Sequence, residues 1–182
     1  MNIKTIIKVN PSSSELKKYQ KFADGNWGEE HDPKEEIKDN FFDLPKIVIL
    51  AFVKAKLVGL LNLHIRKISF GKKSIILGGV GGVVTHVNYR YKGVATKLLN
   101  KALKVLRSEN AEVSLLCTDI PKLGSLYSKV GFVPLGKPYY FISKNGTEKN
   151  NESGMIAPVK SEQIFKSILT TKEKINIGLS NF

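Results

Sequence analysis

Apolar positions along the chain follow two periods, and the changes between them mark the elements. Ile3, Thr5, Ile7 and Val9 fall on one side of an extended run and predict a first strand over residues 2–9. Pro11 and Ser12–Ser14 supply a turn and an N-cap for a helix over Glu15–Phe22. Asp24-Gly25-Asn26-Trp27-Gly28 predicts a loop. Asp32-Pro33 then opens a second helix to about Phe42, with Asp as cap, Pro at the first position and Glu35 and Glu36 favouring its N-terminal end. After Pro45 come three strand-like runs, Lys46–Lys54, Leu57–Phe70 with Gly59 as a bulge position, and Ser74–Thr85. The short connections Lys54-Ala55-Lys56 and Gly71-Lys72-Lys73 make them antiparallel neighbours.

From Gly93 to about Glu109 the period becomes helical. Val94, Leu98, Ala102, Val105 and Leu106 share one face, and Lys97, Lys101 and Lys104 the other. Val113–Cys117 is a fifth strand, parallel to the fourth because a helix joins them. Pro121–Val130 predicts another helix, ended by Gly131. Phe132–Leu135 and Tyr139–Ser143 read as the last two core strands. Lys144–Gly154 reads as an exposed loop, Met155–Val159 as an edge strand, Ser161–Ile168 as a short helix, and Lys172–Phe182 carries no prediction. The pattern alone gives an α+β protein with one βαβ crossover. Its domain spans residues 1–144, with a C-terminal extension, 145–182, packed on it or trailing it.

Composition narrows the classes. At 182 residues, 42% hydrophobic and 25% charged, the chain has the make-up of one soluble globular domain. The single Cys117 cannot form an internal disulfide and lies in an apolar run, which predicts a buried thiol. No run reaches the ~18 apolar residues of a membrane span, and the N-terminus lacks a signal-peptide pattern, so a cytoplasmic location without membrane attachment is expected. The formal charge of +13 raises the question of nucleic acid, but only three of the 29 basic residues are Arg (Arg66, Arg90, Arg107) and the lysines are spread along the chain. No nucleic-acid partner is expected. The acidic residues are localised: eight of the sixteen fall between Asp24 and Asp43.

Candidate chemistry centres on Val80–Leu106. The apolar run Val80-Gly81-Gly82-Val83-Val84-Thr85 meets a polar corner, His86-Val87-Asn88-Tyr89, then Arg90-Tyr91-Lys92-Gly93-Val94-Ala95 and an amphipathic helix. A strand feeding a glycine-bearing loop that opens a helix is a phosphate-binding arrangement, because first-turn N–H groups and the helix dipole both favour an anion. Gly93 and the small Ala95 leave room for close approach, and Arg90 and Lys92 add positive charge. No metal-ligand spacing and no Ser/His/Asp arrangement is present.

Arg90, Gly93 and Ala95 resemble the Q/R-x-x-G-x-G/A acyl-CoA-binding motif of the GNAT superfamily of N-acetyltransferases. Tyr127-x-x-x-Gly131-Phe132 downstream strengthens the likeness, which covers roughly Lys46–Phe141. Leu115-Leu116-Cys117, Leu126-Tyr127 and Gly131-Phe132-Val133-Pro134-Leu135 are similar in particular to the aminoglycoside 2′-N-acetyltransferase branch, although the Trp that branch carries near the Gly-aromatic pair is absent. The resemblance implies a mixed, mostly antiparallel sheet of about seven strands with helices on both faces. It implies acetyl-CoA as acyl donor, no metal, and direct transfer to an amine in a ternary complex, by a monomer or homodimer. By position, the pyrophosphate would lie on Tyr91, Lys92, Gly93, Val94, Ala95 and Thr96 beside Arg90, and the pantetheine arm along Val83, Val84 and Thr85. A bulge would splay the fourth strand from the fifth, and Gly81-Gly82 suits one.

The resemblance makes Tyr127 the candidate general acid, since tyrosine, with pKa ~10, is protonated at neutral pH. A family Asn about seven residues earlier is Ile120 here. Glu29, Glu30, His31, His86 and Asp119 remain open as general base, and His64, in an apolar strand, reads as a satisfied core histidine. The acidic segment Asp24, Glu29, Glu30, Asp32, Glu35, Glu36, Asp39 and Asp43 suggests a cationic small-molecule amine, such as a polyamine or amino sugar. A solvated helix face accounts for the same carboxylates. A non-catalytic acyl-CoA-binding module and a protein or peptide acceptor are the alternatives.

Overall fold

The computed structural model describes residues 1–27 and 43–182. The second helix expected from Asp32 to Phe42 lies outside the described residues. Strand β1 (Lys4–Val9) leads to helix α1 (Ser13–Asp24). Ser12 caps it as expected: its Oγ accepts from the Glu15 N–H at 3.3 Å, and Glu15 Oε2 accepts from the Ser12 N–H at 3.0 Å. Strands β2 (Ile47–Val53), β3 (Lys56–Phe70) and β4 (Lys73–Thr85) form the expected antiparallel run. A register break opposite Ala51/Phe52 falls at Leu57–Gly59, where a bulge was expected.

A turn over Val87–Tyr89 leads into helix α2 (Val94–Ser108), and β5 (Val113–Cys117) pairs parallel to β4. Helix α3 (Ile120–Ser128) ends where Gly131, at φ +96°, lets its own N–H reach the Ser128 carbonyl and the Phe132 N–H reach that of Tyr127. The remaining elements are β6 (Val133–Pro134), β7 (Tyr139–Ile142), β8 (Glu148–Asn151), β9 (Gly154–Pro158), α4 (Glu162–Thr170) and β10 (Ile175–Leu179).

The main sheet has seven strands in the order β1-β2-β3-β4-β5-β9-β6, antiparallel except at β4/β5. The end of the chain departs from the sequence reading. Tyr139–Ile142 does not join the main sheet but lies in a second one, β10-β7-β8. The run expected at the edge, around Met155, is instead the interior strand β9, buried at Gly154–Ala157 and flanked by β5 and β6. The short β6 takes the edge, where Pro134 leaves no ladder donor missing. The segment read as a loop contains β8, and the unassigned end contains β10.

Helices cover both faces. Leu98, Leu99, Ala102 and Leu106 of α2, with Tyr127 and Phe132 at α3, pack on Ile47, Ile49, Leu61, Leu63 and Val80. On the opposite face α1 lies over Val48, Leu50, Leu60 and Val84, while α4 and the second sheet cover Leu77, Val113, Leu115 and Ile156.

Candidate active site

Strands β4 and β5 pair only from Leu77/Val113 to Gly79/Leu115 and then part. Beyond that point β5 continues against β9, so the β4 edge from Val80 to Thr85 faces no strand among the described residues. A bulge in β4 falls at the fork. The β3/β4 register breaks between Leu60 and Asn62, and Gly82 takes φ +55°, a conformation that costs most side chains ~1–2 kcal/mol. The bulge lies at Gly82-Val83, one residue along from the Gly81-Gly82 pair expected to accommodate it. Val83 packs towards the α2 side, Val84 is buried against the α1 side, and Thr85 is half-buried.

The free edge leads to the start of α2. Gly93, at φ +79°, is its N-cap, and no side chain among the described residues caps the helix there. A Cβ built on Gly93 meets nothing within 4 Å. No side-chain cap among the described residues therefore takes up the first-turn N–H groups, an arrangement that suits an anionic pyrophosphate. Arg90 and Lys92, the cations expected beside it, bond backbone carbonyls instead, as does Lys97. Arg90 Nη2 donates to the Asn26 carbonyl at 2.7 Å, Lys92 Nζ to the Asn88 carbonyl at 3.0 Å, and Lys97 Nζ to the Ile3 carbonyl. Asn26 Oδ1 also accepts from the Val87 N–H at 3.2 Å, which ties the loop after α1 to the turn before α2. Tyr91 is fully exposed at φ +60°.

Tyr127 lies under the other arm of the fork. It is buried, packs edge-on against Phe132 and shares a hydrogen bond with Thr118, the residue after β5. Burial raises its pKa above the usual tyrosine value, so the hydroxyl stays protonated at neutral pH. Two of the base candidates have structural work. Asp119 Oδ1 accepts from the Lys122 N–H as the cap of α3, and His86 Nδ1 accepts from the Asn88 N–H at 3.2 Å. Glu29, Glu30 and His31 lie outside the described residues, as do Asp32, Glu35, Glu36 and Asp39.

The α1 face of the fork holds a cavity of about 310 Å³. Gly79 and Gly81 give β4 no side chains on this face, so a trough runs beside Leu60, Asn62 and His64 of β3. Phe182 lies in it: a Cβ on Gly79 would come within 2.3 Å of the Phe182 ring, and one on Gly81 within 2.7 Å of its backbone. Arg66 holds this segment by donating to the carbonyls of Ile177, Ser180 and Asn181, with its guanidinium carbon 4.5 Å from the Phe182 ring centroid. The Tyr139 hydroxyl donates to Asn181 Oδ1 at 2.9 Å.

His64 departs from the sequence reading. It is buried, but its Nδ1 has no hydrogen-bond partner among the described residues. Burial, helped by the Arg66 charge, lowers its pKa to about 4, so the imidazole is neutral at physiological pH.

The sequence model of the family described as "Acetyltransferase (GNAT) domain" matches residues 9–135. The chain belongs to the GNAT acetyltransferases. GNAT proteins also recur among solved structures of similar fold. Escherichia coli ElaA shares 17% identity at a TM-score of 0.60, with 86% of this chain and 99% of that one covered. A chain of the NatC complex bound to Gag peptide and CoA shares 16% at 0.54, covering 85% and 98%. Eis1 from Mycobacterium abscessus shares 16% at 0.55; 75% of this chain is covered, but the match spans only 32% of Eis1. No curated protein sequence matches significantly.

For this GNAT chain, the sequence singled out the motif residues and Tyr127 as candidates; it did not single out Asn62, Arg66 or Phe182. The alternation of Gly79 and Gly81 on one side of β4 was the available signal that something lies close on that face. What lies there comes from about a hundred residues further along.

Proposed function

We propose that this GNAT chain is an acetyl-CoA-dependent N-acetyltransferase acting directly, in a ternary complex, on a primary amine of a small cationic acceptor. The observation that carries this reading is the free β4 edge leading into the uncapped N-terminus of α2. An extended pantetheine arm would pair with Val83, Val84 and Thr85 as an added strand. Its pyrophosphate would then meet the N–H groups over Tyr91–Thr96. The NatC complex, one chain of which has a similar fold, is bound to CoA.

The thioester would lie at the bulge, where a backbone N–H can polarise its carbonyl. A neutral amine attacks that carbon, the C–N bond forms, the C–S bond breaks, and the nitrogen gives up its extra proton to water. Tyr127, protonated by virtue of its burial, supplies the proton to the departing thiolate. The acidic run from Asp24 to Asp43 on an otherwise basic chain would attract an ammonium.

The test has two parts. Acetyl-CoA at a hundredfold excess over its dissociation constant should stabilise the fold by ~2.7 kcal/mol. Gly93→Val should lose that thermal shift; an unchanged shift would remove the donor site from α2. An amine panel followed by free-thiol release then separates an enzyme from a module that only binds acyl-CoA, because binding without release on any amine would defeat the catalytic reading.

A further inference from the structure

The cavity on the α1 face has two unlike ends. One is a wall of Leu16, Tyr19, Trp27, Leu44, Leu60 and Phe182. The other is a small polar floor, where Asn62 and His64 meet Gly82 at the bulge. The Asn62 amide lies directly over that bulge, since a Cβ on Gly82 would come within 2.6 Å of its Nδ2. We propose that this cavity takes a primary amine borne on an aromatic or branched apolar body, with the nitrogen on the Asn62/His64 floor and the body against the Tyr19/Trp27/Phe182 wall. This rests on the N-acetyltransferase reading, which places the acetyl group at the same bulge.

Desolvation selects the class. A polyamine would carry several ammonium groups into a mostly apolar wall, and each would need a partner there. Among the described lining residues the sole carboxylate is Asp43, and it faces the Arg66 guanidinium at 3.7 Å. An amino sugar would bring a ring of hydroxyls, more than Gln20 and the Tyr19 hydroxyl beside the wall can pair. A single amine on an apolar body has neither problem. Its one polar atom meets the Asn62/His64 floor, and its carbon packs on the aromatic and leucine side chains of the wall.

The floor also suits the nitrogen that must react. His64 is neutral, so it adds no repulsion to an arriving amine. The Arg66 charge two residues along β3 disfavours a second cation nearby, which helps an arriving ammonium release its proton.

Trp27 is the chain's only tryptophan and lines the cavity, so its fluorescence reports occupancy without requiring turnover. Phenethylamine and isoamylamine should change the Trp27 emission saturably, while spermidine and glucosamine should not. In the thiol-release assay the two apolar amines should exceed spermidine and glucosamine in kcat/KM by about tenfold or more, as expected for burying about two methylene groups. Leu16→Lys, which brings an ammonium to the wall, should weaken phenethylamine binding about tenfold while the acetyl-CoA thermal shift is kept. Tyr19→Ala provides the same comparison should Leu16→Lys fold poorly.

No Trp27 response to the apolar amines, or preferred turnover of spermidine or glucosamine, would overturn the proposal. So would preferred turnover of a peptide N-terminus over all small amines. A saturable Trp27 response without thiol release would uphold the binding site and defeat the catalytic reading, so the two failures are distinguishable.

Discussion

Lowering the pH should destabilise the protein through His64, and replacing that residue should remove the effect. His64 is 4% exposed, its Nδ1 is unpartnered among the described residues, and Arg66 is close enough to oppose a positive charge on it. Its pKa is lowered from 6.5 in the free side chain to about 4 in the fold. Between those values the unfolded chain binds the proton and the folded chain does not, so acid favours unfolding. The contribution is fully present above the unfolded value and is lost as pH falls towards the folded one. The full window is worth about 3 kcal/mol, of which about 2 kcal/mol falls between pH 7 and pH 5.

The comparison is thermal unfolding of the parent and of His64→Leu at both pH values and fixed ionic strength. Leucine fills a similar space and removes the unpaired nitrogen, so the variant should be at least as stable near neutrality. Other groups titrate alike in both proteins and cancel. For a chain of this length, about 2 kcal/mol corresponds to a relative Tm gain of about 4–8 °C for the variant at pH 5. Parallel Tm losses in the two proteins would refute the buried, neutral state of His64.

Two further outcomes test the site and its frame. Tyr127→Phe should lower kcat by ~10²-fold while leaving acetyl-CoA affinity nearly unchanged; steady-state kinetics with a binding titration would show instead a packing role if affinity falls and kcat does not. Phe182→Ala should cost about 3 kcal/mol in urea unfolding, because it empties the trough over Gly79 and Gly81. An unchanged midpoint would mean that this segment does not seat on β4.

The N-terminal and central elements were legible because their signals are local. The Ser12/Glu15 cap, the hairpins of β2–β4, the one-sided apolar stripe of α2 and the left-handed Gly131 each depend on residues within a turn or two of one another. The Gly93 helix start and the bulge at Gly82 belong to the same class, since the conformations they require are ones that few other residues accept. The later strands were misplaced for the opposite reason. Tyr139–Ile142 and Met155–Pro158 are both short apolar runs, and nothing local says which joins β5 and which joins β10.

By itself, then, the sequence determined the α+β class, the strand–loop–helix unit at Gly93 and the candidate Tyr127, through periodicity, caps and glycine chemistry that act over a few residues. Only the tertiary structure decided that β9 is interior, that Arg90 binds the Asn26 carbonyl, and that Asn62, His64 and Phe182 surround one cavity. Those facts depend on pairings between residues dozens to more than a hundred positions apart. Which of several similar apolar segments fills a given trough is settled by the shape left when the rest has packed, and that shape is not written in any one stretch of the chain.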